Sequence, residues 1–237
     1  ELCPNGRFQK KTAQRNCDPC AEGKFTRADE KNREFCIVCD VGRAGINCDV
    51  CNEGSFADIS NCTVCPAGYY QPKNLTTFCT GCEPGRFANE TQSTDCHQCE
   101  PGRSNSDQSA TECVVCEAGY YQPYEETTLC LECAAGKFAN ETESKDCYQC
   151  DAGRSNSEQS ATECVDCEAG YYQPEEEKTL CLACEAGRYE NETQSEECDE
   201  CKPGRSNSGT NATECVDCEA GYYQPDEEAT LCLECAA

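Results

Sequence analysis

Apolar residues in this chain do not recur at three- and four-residue spacing over any stretch long enough to make a helical face. They fall as isolated aromatics or short aliphatic pairs between cysteines, in stretches too short and too polar for an amphipathic helix and without a heptad. That pattern predicts short extended pieces joined by turns. The positions that do recur are cysteine and glycine. Fourteen Cys-x-x-Cys doublets run from Cys17/Cys20 to Cys232/Cys235, and from Cys62 onward they return every 17 residues. A unit counted from the second cysteine of each doublet, with Cys3 opening the first, reads Cys-x-x-Gly, usually a basic or aromatic residue, then a polar stretch up to the next cysteine. Glycine holds the same place in all fourteen complete units, from Gly6 and Gly23 to Gly204 and Gly221. Glycine fixed there predicts a tight turn with φ > 0, and Pro84, Pro101 or Ala118 just before it suits a type II turn.

Three kinds of unit rotate in order and create a 51-residue super-repeat. One carries Gly-Tyr-Tyr-Gln-Pro, as at Gly119 to Pro123; the second carries Phe87, Phe138 or Tyr189 ahead of Asn-Glu-Thr; the third reads Gly-Arg-Ser-Asn-Ser, as at Gly153 to Ser157. A fixed period with local closure means quasi-one-dimensional architecture, each unit touching its neighbours and little else. The expected fold is small and disulfide-rich: an elongated tandem-repeat rod of ~17-residue Cys-loop units with short β pieces, turns and little regular secondary structure. Residues 1–64 read as irregular N-terminal Cys-rich units, 65–234 as ten regular units in the super-repeat, and 235–237 as the start of a truncated next unit. The aromatic two residues after the glycine (Phe8, Phe25, Phe56, Tyr70, Phe87, Tyr121, Phe138, Tyr172, Tyr189, Tyr223) is expected to pack on the nearest disulfide.

Composition explains why such a ladder is needed. The 237 residues include 29 cysteines and neither Met nor Trp, so no large apolar core is available, and cysteine at this density belongs in an oxidising compartment. Repetition and parity favour bonding the second cysteine of each doublet to the first of the next. The pairs are Cys3 with Cys17, Cys20 with Cys36, Cys39 with Cys48, Cys51 with Cys62, Cys65 with Cys79, Cys82 with Cys96 and Cys99 with Cys113. They continue as Cys116 with Cys130, Cys133 with Cys147, Cys150 with Cys164, Cys167 with Cys181, Cys184 with Cys198, Cys201 with Cys215 and Cys218 with Cys232. Cys235 is left over as the opening of a further unit, as a segment of a longer array would have it. Pairing within each doublet and nested pairing between doublets are the alternatives. Each closed loop of about 15 residues is worth roughly 3 kcal/mol in the chain-entropy model.

A formal charge of −26 argues against nucleic acid and against an anionic membrane surface. No apolar run approaches the roughly 20 residues of a membrane span, and no signal-peptide core opens the chain. Residues 1–36 differ, with eight Lys and Arg against six Asp and Glu, which suits a cap or a specialised contact region. Six Asn-x-Ser/Thr sequons, at Asn61, Asn74, Asn89, Asn140, Asn191 and Asn211, predict covalent N-glycans and a secretory route to the exterior or cell surface. Asn89, Asn140 and Asn191 recur at one place in the super-repeat, so they would make a glycan stripe if three units complete about one turn.

Units such as Cys65-Pro-Ala-Gly-Tyr-Tyr-Gln-Pro through Cys79, or Cys82-Glu-Pro-Gly-Arg-Phe through Cys96, resemble the cysteine-rich repeats of ephrin-receptor-like and tumour-necrosis-factor-receptor-like ectodomains, and similar arrays occur in protist surface proteins. The resemblance spans nearly the whole chain and implies extracellular, disulfide-laddered stalks. Many receptor arrays interleave a second module with more cysteines; this chain repeats one small unit, which favours a structural coat, appendage or matrix protein. A receptor or adhesin ectodomain using the rod as a spacer is the alternative. The partners expected are other copies or other extracellular proteins.

Enzyme chemistry finds little footing. Two doublets separated by 13 residues also match a four-thiolate zinc ribbon, the one metal reading the spacing allows. His97 is the only histidine, at a place where Tyr148 and Asp199 stand in equivalent units, so no catalytic pair is assigned. Glu175-Glu176-Glu177 and Asp226-Glu227-Glu228 lack the spacing of a calcium loop and read as a solvated, repelling face. No cofactor is expected.

Overall fold

The computed structural model describes residues 3, 7–9, 16–21, 24–26, 36–45, 47–58 and 61–236; Gly6 and Gly23 lie outside the described residues. Two compact units divide the chain, Glu1–Val114 with Glu125–Leu129 and Val115–Tyr124 with Cys130–Ala237. Both are built the same way. Among the described residues there is no helix, and every regular element is a strand of two or three residues in a two-stranded antiparallel pair.

One unit shows the logic. In the loop closed by Cys133 and Cys147, Arg or Lys and an aromatic follow the turn, and Lys137–Phe138 pairs with Tyr148–Gln149 in the register Lys137 opposite Gln149 and Phe138 opposite Tyr148. The turn ahead of the strand is closed by the Lys137 N–H donating to the Ala134 carbonyl at 3.0 Å, with Gly136 at φ +84°. The same closure joins Arg86 to Glu83 across Pro84 and Gly85, at φ +83°, the geometry of a type II turn. Proline sets the first central residue and glycine alone occupies the second without strain.

Successive units stack as rungs through their main chains. Between the rungs opened by Cys133 and Cys150, the Gly136 N–H donates to Asn156 at 2.8 Å, the Ala139 N–H to Ala161 at 3.1 Å, and the Ser160 N–H returns to the Cys133 carbonyl at 2.9 Å. The same three bonds recur between the rungs of Cys82 and Cys99, through Gly85 to Asn105, Ala88 to Ala110 and Ser109 to Cys82. The polar stretches that looked like loops thus satisfy the backbone of the next rung. Ser109, Ser160, Glu177, Gln194 and their equivalents, which donate the return bond, stand at φ between 52° and 63°.

Contact reaches further than the nearest neighbour, in contrast to the expected one-to-one stacking. A Cβ placed on Gly136 would lie 2.4 Å from the carbonyl oxygen of Glu177, two rungs along; on Gly68 it would lie 2.1 Å from that of Ser109. Glycine is therefore demanded twice, by its backbone angle and by the approach of a second rung.

The interior is almost entirely sulfur. Cys51, Cys65, Cys82, Cys99, Cys116, Cys133, Cys150, Cys167, Cys184, Cys201 and Cys215 are fully buried, accompanied by Ala88 and Ala139. Tyr70 packs against Cys82, Ala88 and Cys96, so its aromatic ring covers the disulfide of the following rung. Phe87 meets His97 at 5.6 Å and Phe138 meets Tyr148 at 5.8 Å between ring centres, both tilted.

Candidate functional surface

All fourteen disulfides join the second cysteine of one doublet to the first of the next, from Cys3–Cys17 to Cys218–Cys232. Loops close over 14 residues in the regular part and over 16, 9 and 11 in the units opened by Cys20, Cys39 and Cys51. With both cysteines of each internal doublet spent on different bridges, four thiolates are not present to hold zinc, and pairing within a doublet does not occur. Cys235 is a free, exposed thiol.

Between rungs, one buried position carries polar side chains whose role the sequence did not disclose. Gln71, Gln122 and Gln173, and Asn105 and Asn156, sit six residues after the opening cysteine and are buried. The Gln173 amide donates to the Leu180 carbonyl at 2.6 Å and its oxygen accepts from the Glu175 N–H, bracing its own loop. Asn156 does more. Its amide donates to Lys137 on the preceding rung at 2.9 Å and to Glu158 at 3.0 Å, while its oxygen accepts from the Glu158 N–H. Asn105 and Asn207 repeat the pattern toward Arg86 and Arg188. The available signal was the recurrence of Gln and Asn at that one place.

The acidic clusters are less detached than their sequence suggested. Glu126 forms an ion pair with Arg86 at 2.8 Å, Glu177 with Lys137 at 3.1 Å, and Glu228 with Arg188, each two rungs apart. Gln98 and Gln149 add amide bonds to Glu126 and Glu177 at 2.8 and 2.7 Å. Where those glutamines stand, the last super-repeat has Glu200, whose carboxyl is pushed up from its ordinary range by its hydrogen bond with Glu228, by desolvation and by that neighbour's charge. Asp166 moves the other way, held down by the Gln194 amide and by Arg154 at 2.7 Å. His97 is exposed, its ring tilted against that of Phe87.

Asn61, Asn74, Asn89, Asn140, Asn191 and Asn211 are all exposed. Asn74 accepts from the Glu53 N–H at 2.9 Å and Asn211 reaches the Tyr171 hydroxyl at 3.4 Å. Asn89, Asn140 and Asn191 each follow a buried Ala88, Ala139 or Glu190 and point away from the sulfur interior. Among the described residues no cluster of His, Cys, Asp or Glu is placed to hold a metal ion, and no helix is long and apolar enough to cross a membrane.

This set of bridged loops is what a family model for tyrosine-protein kinase ephrin type A/B receptor-like sequences recognises, at residues 102–150, 153–201 and 204–237. The chain belongs to the ephrin-receptor-like family. Each matched stretch opens on the glycine of a Gly-Arg-Ser-Asn-Ser unit, so the matches recur with the 51-residue period of the super-repeat. Ephrin-receptor-like cysteine-rich repeats are extracellular modules of receptor-like or structural type, and the disulfides fit that location. Among curated proteins no match was found.

Proposed function

We propose that this ephrin-receptor-like chain is a structural extracellular protein, a glycosylated and disulfide-laddered stalk or filament of a coat, appendage or matrix. The observation that carries the reading is the repeated main-chain bonding between rungs. Three backbone hydrogen bonds between successive rungs such as those of Cys133 and Cys150, with a covalent bridge in each, make a body that resists extension without a large core. Two depressions among the described residues, of 550 and 310 Å³, lie open to solvent, which suits a spacer better than an enzyme cleft. Residues 1–64 then act as an irregular cap on the regular units of 65–234, and sugars on Asn89, Asn140 and Asn191 sheathe one recurring site. The family match favours a second reading, a receptor or adhesin ectodomain in which the same rungs hold a ligand-binding end away from the cell.

The test is secretion from a eukaryotic host, followed by peptide mapping under non-reducing conditions and electron microscopy of the purified chain. Glycopeptides at Asn89, Asn140 and Asn191 with assembly into fibres in the absence of another protein are expected. Unmodified sequons would overturn the glycosylated stalk; a soluble ligand bound by single particles that never assemble would favour the ectodomain.

A further inference from the structure

Exposed positions of the super-repeat drift from one copy to the next. His97 is replaced in turn by Tyr148 and Asp199, and Tyr124 by Glu175 and Asp226. Two exposed apolar positions do not drift. Val114, Val165 and Val216 at one, and Leu129, Leu180 and Leu231 at the other, are all 65–67 % exposed. A lone exposed valine or leucine is ordinary, but these two are kept through three copies although neither fills the sulfur interior.

The second copy shows what the two positions make together. Val165 and Leu180, on successive rungs, line one depression of 550 Å³, within the ~300–1,000 Å³ of small-ligand sites. Glu158 and Glu163 line it as well, and no Lys or Arg does. Among the described residues neither carboxylate has an ion-pair partner, since Arg154 is paired with Asp166 and Lys178 with Glu175. Asn156, in the same wall, is engaged with Lys137 and Glu158 through its amide and its oxygen. The depression therefore offers aliphatic surface beside two unpaired carboxylates. A lysine side chain matches both, with a stem that covers apolar surface and an ammonium at its tip. Lysine suits the site better than arginine because the charge comes from two separate side chains, which a compact ammonium meets without the bidentate alignment a guanidinium exploits. The chain's own net charge of −26 places that lysine on a basic partner rather than on a second copy.

We propose that the depression formed by Val165, Leu180, Glu158 and Glu163 is a docking site for a lysine side chain of a basic partner protein, its stem over Val165 and Leu180 and its ammonium at the two carboxylates. The first super-repeat carries the same residue types as Val114, Leu129, Asp107 and Glu112, whereas the third has Gly209 in place of the first carboxylate. Two full sites and a weaker one result, and a partner with several lysines engages them together. This holds whether the chain is a stalk or an ectodomain.

The chain has eight valines and eight leucines, so methyl NMR of the full disulfide-bonded protein labelled at those residues reads the site directly. The probes, at constant ionic strength, are Nα-acetyl-lysine methylamide, its Nε-acetylated form with the stem but no charge, and methylammonium with the charge but no stem. The lysine probe should shift the Val165 and Leu180 methyls at about tenfold lower concentration than either control, and those of Val216 and Leu231 should need about fivefold more of it. Glu158→Gln/Glu163→Gln should raise the Val165 and Leu180 midpoint about tenfold. Gly209 stands natively at the place of Glu158, so the rung does not need that side chain to fold, and mapping of the Cys150–Cys164 bridge verifies it. Equal potency of methylammonium, equal potency of the acetylated stem, or shifts that survive the double variant would overturn the proposal. So would a lysine probe that leaves the Val165 and Leu180 methyls unmoved.

Discussion

Gly136→Ala and Gly221→Ala separate the two reasons for glycine at this position. Both residues sit in the left-handed region, at φ +84° and +93°, so either alanine brings a backbone cost of about 1–2 kcal/mol. Within these 237 residues Gly136 faces another rung and Gly221 does not. Its new Cβ would lie 2.4 Å from the oxygen and 2.8 Å from the carbonyl carbon of Glu177, whereas nothing lies within 4 Å of the corresponding point on Gly221. Glu177 is held by its own N–H bond to Cys150 at 2.8 Å and cannot step aside without loosening that bond. Overpacking of this kind adds about 1–3 kcal/mol, so Gly136→Ala should cost about 2–5 kcal/mol and Gly221→Ala about 1–2. Native-state amide exchange reads the difference locally. In Gly136→Ala the Glu177 amide should exchange about 5- to 150-fold faster than in the parent chain, at one decade per 1.4 kcal/mol. In Gly221→Ala that amide should be unchanged. Equal losses in the two variants, with the Glu177 amide unmoved, would refute the two-rung approach and leave the turn angle as the whole reason for glycine.

Three further outcomes follow from the site geometry. Asn156→Ala leaves the Lys137 and Glu158 carbonyls and the Glu158 N–H without a side-chain partner and should lower stability by about 1–3 kcal/mol in urea titration; Asn156→Asp should lose more at neutral pH, where two carbonyls face a carboxylate, and recover part of it on acidification. Glu200→Gln restores the residue type of Gln98 and Gln149. Because the folded pKa of Glu200 lies above its ordinary 4.5, that group favours the folded state below 4.5 and loses this advantage as pH rises through the raised value. The variant should therefore be more stable than the parent at pH 7, with the gap closing as pH falls toward 4, in thermal unfolding across that range. Removing the bridge between Cys150 and Cys164 by paired serine substitution opens a loop of about 15 residues and should cost roughly 3 kcal/mol. Faster exchange confined to that rung and the two on either side is the signature expected.

Much of the ladder was legible because it rests on local, one-dimensional rules. Parity assigned the bridges, and glycine behind Pro84 announced its turn. The stacking was hidden, since no spacing rule says which carbonyl the Ser160 N–H finds 27 residues back, at Cys133. The Gln and Asn of the super-repeat looked like loop polarity because burial among disulfides is invisible in a chain with so little aliphatic pattern. Glu177 and Glu228 looked like a solvated face for a parallel reason: their partners, Lys137 and Arg188, are 40 residues away in sequence.

The buried and rim contacts explain why the period is three units rather than one. Disulfides, glycine turns and inter-rung backbone bonds are common to all three kinds of regular rung and set no order among them. Side chains do. Asn156 binds the Lys137 carbonyl of the rung before it, as Asn105 binds that of Arg86 and Asn207 that of Arg188. Lys137 in turn needs Glu177 two rungs later, while Tyr171 meets Asn211 and Arg154 shares Asp166 with Gln194 at the same separation. Deleting residues 133–183 would leave the rung of Cys116 followed by that of Cys184, the order already present. Deleting residues 150–166 alone would put Gln194 where Lys137 now meets Glu177, and would remove the Asn156 amide from the Lys137 carbonyl. Both shortened chains keep a complete set of bridges, so disulfide mapping should not distinguish them. Urea titration should, with the 17-residue deletion less stable by about 1–3 kcal/mol from the lost amide bonds and little more from an exposed ion pair worth at most ~1 kcal/mol. Covalent closure makes each rung, and the three-way side-chain code decides which rung belongs next to which.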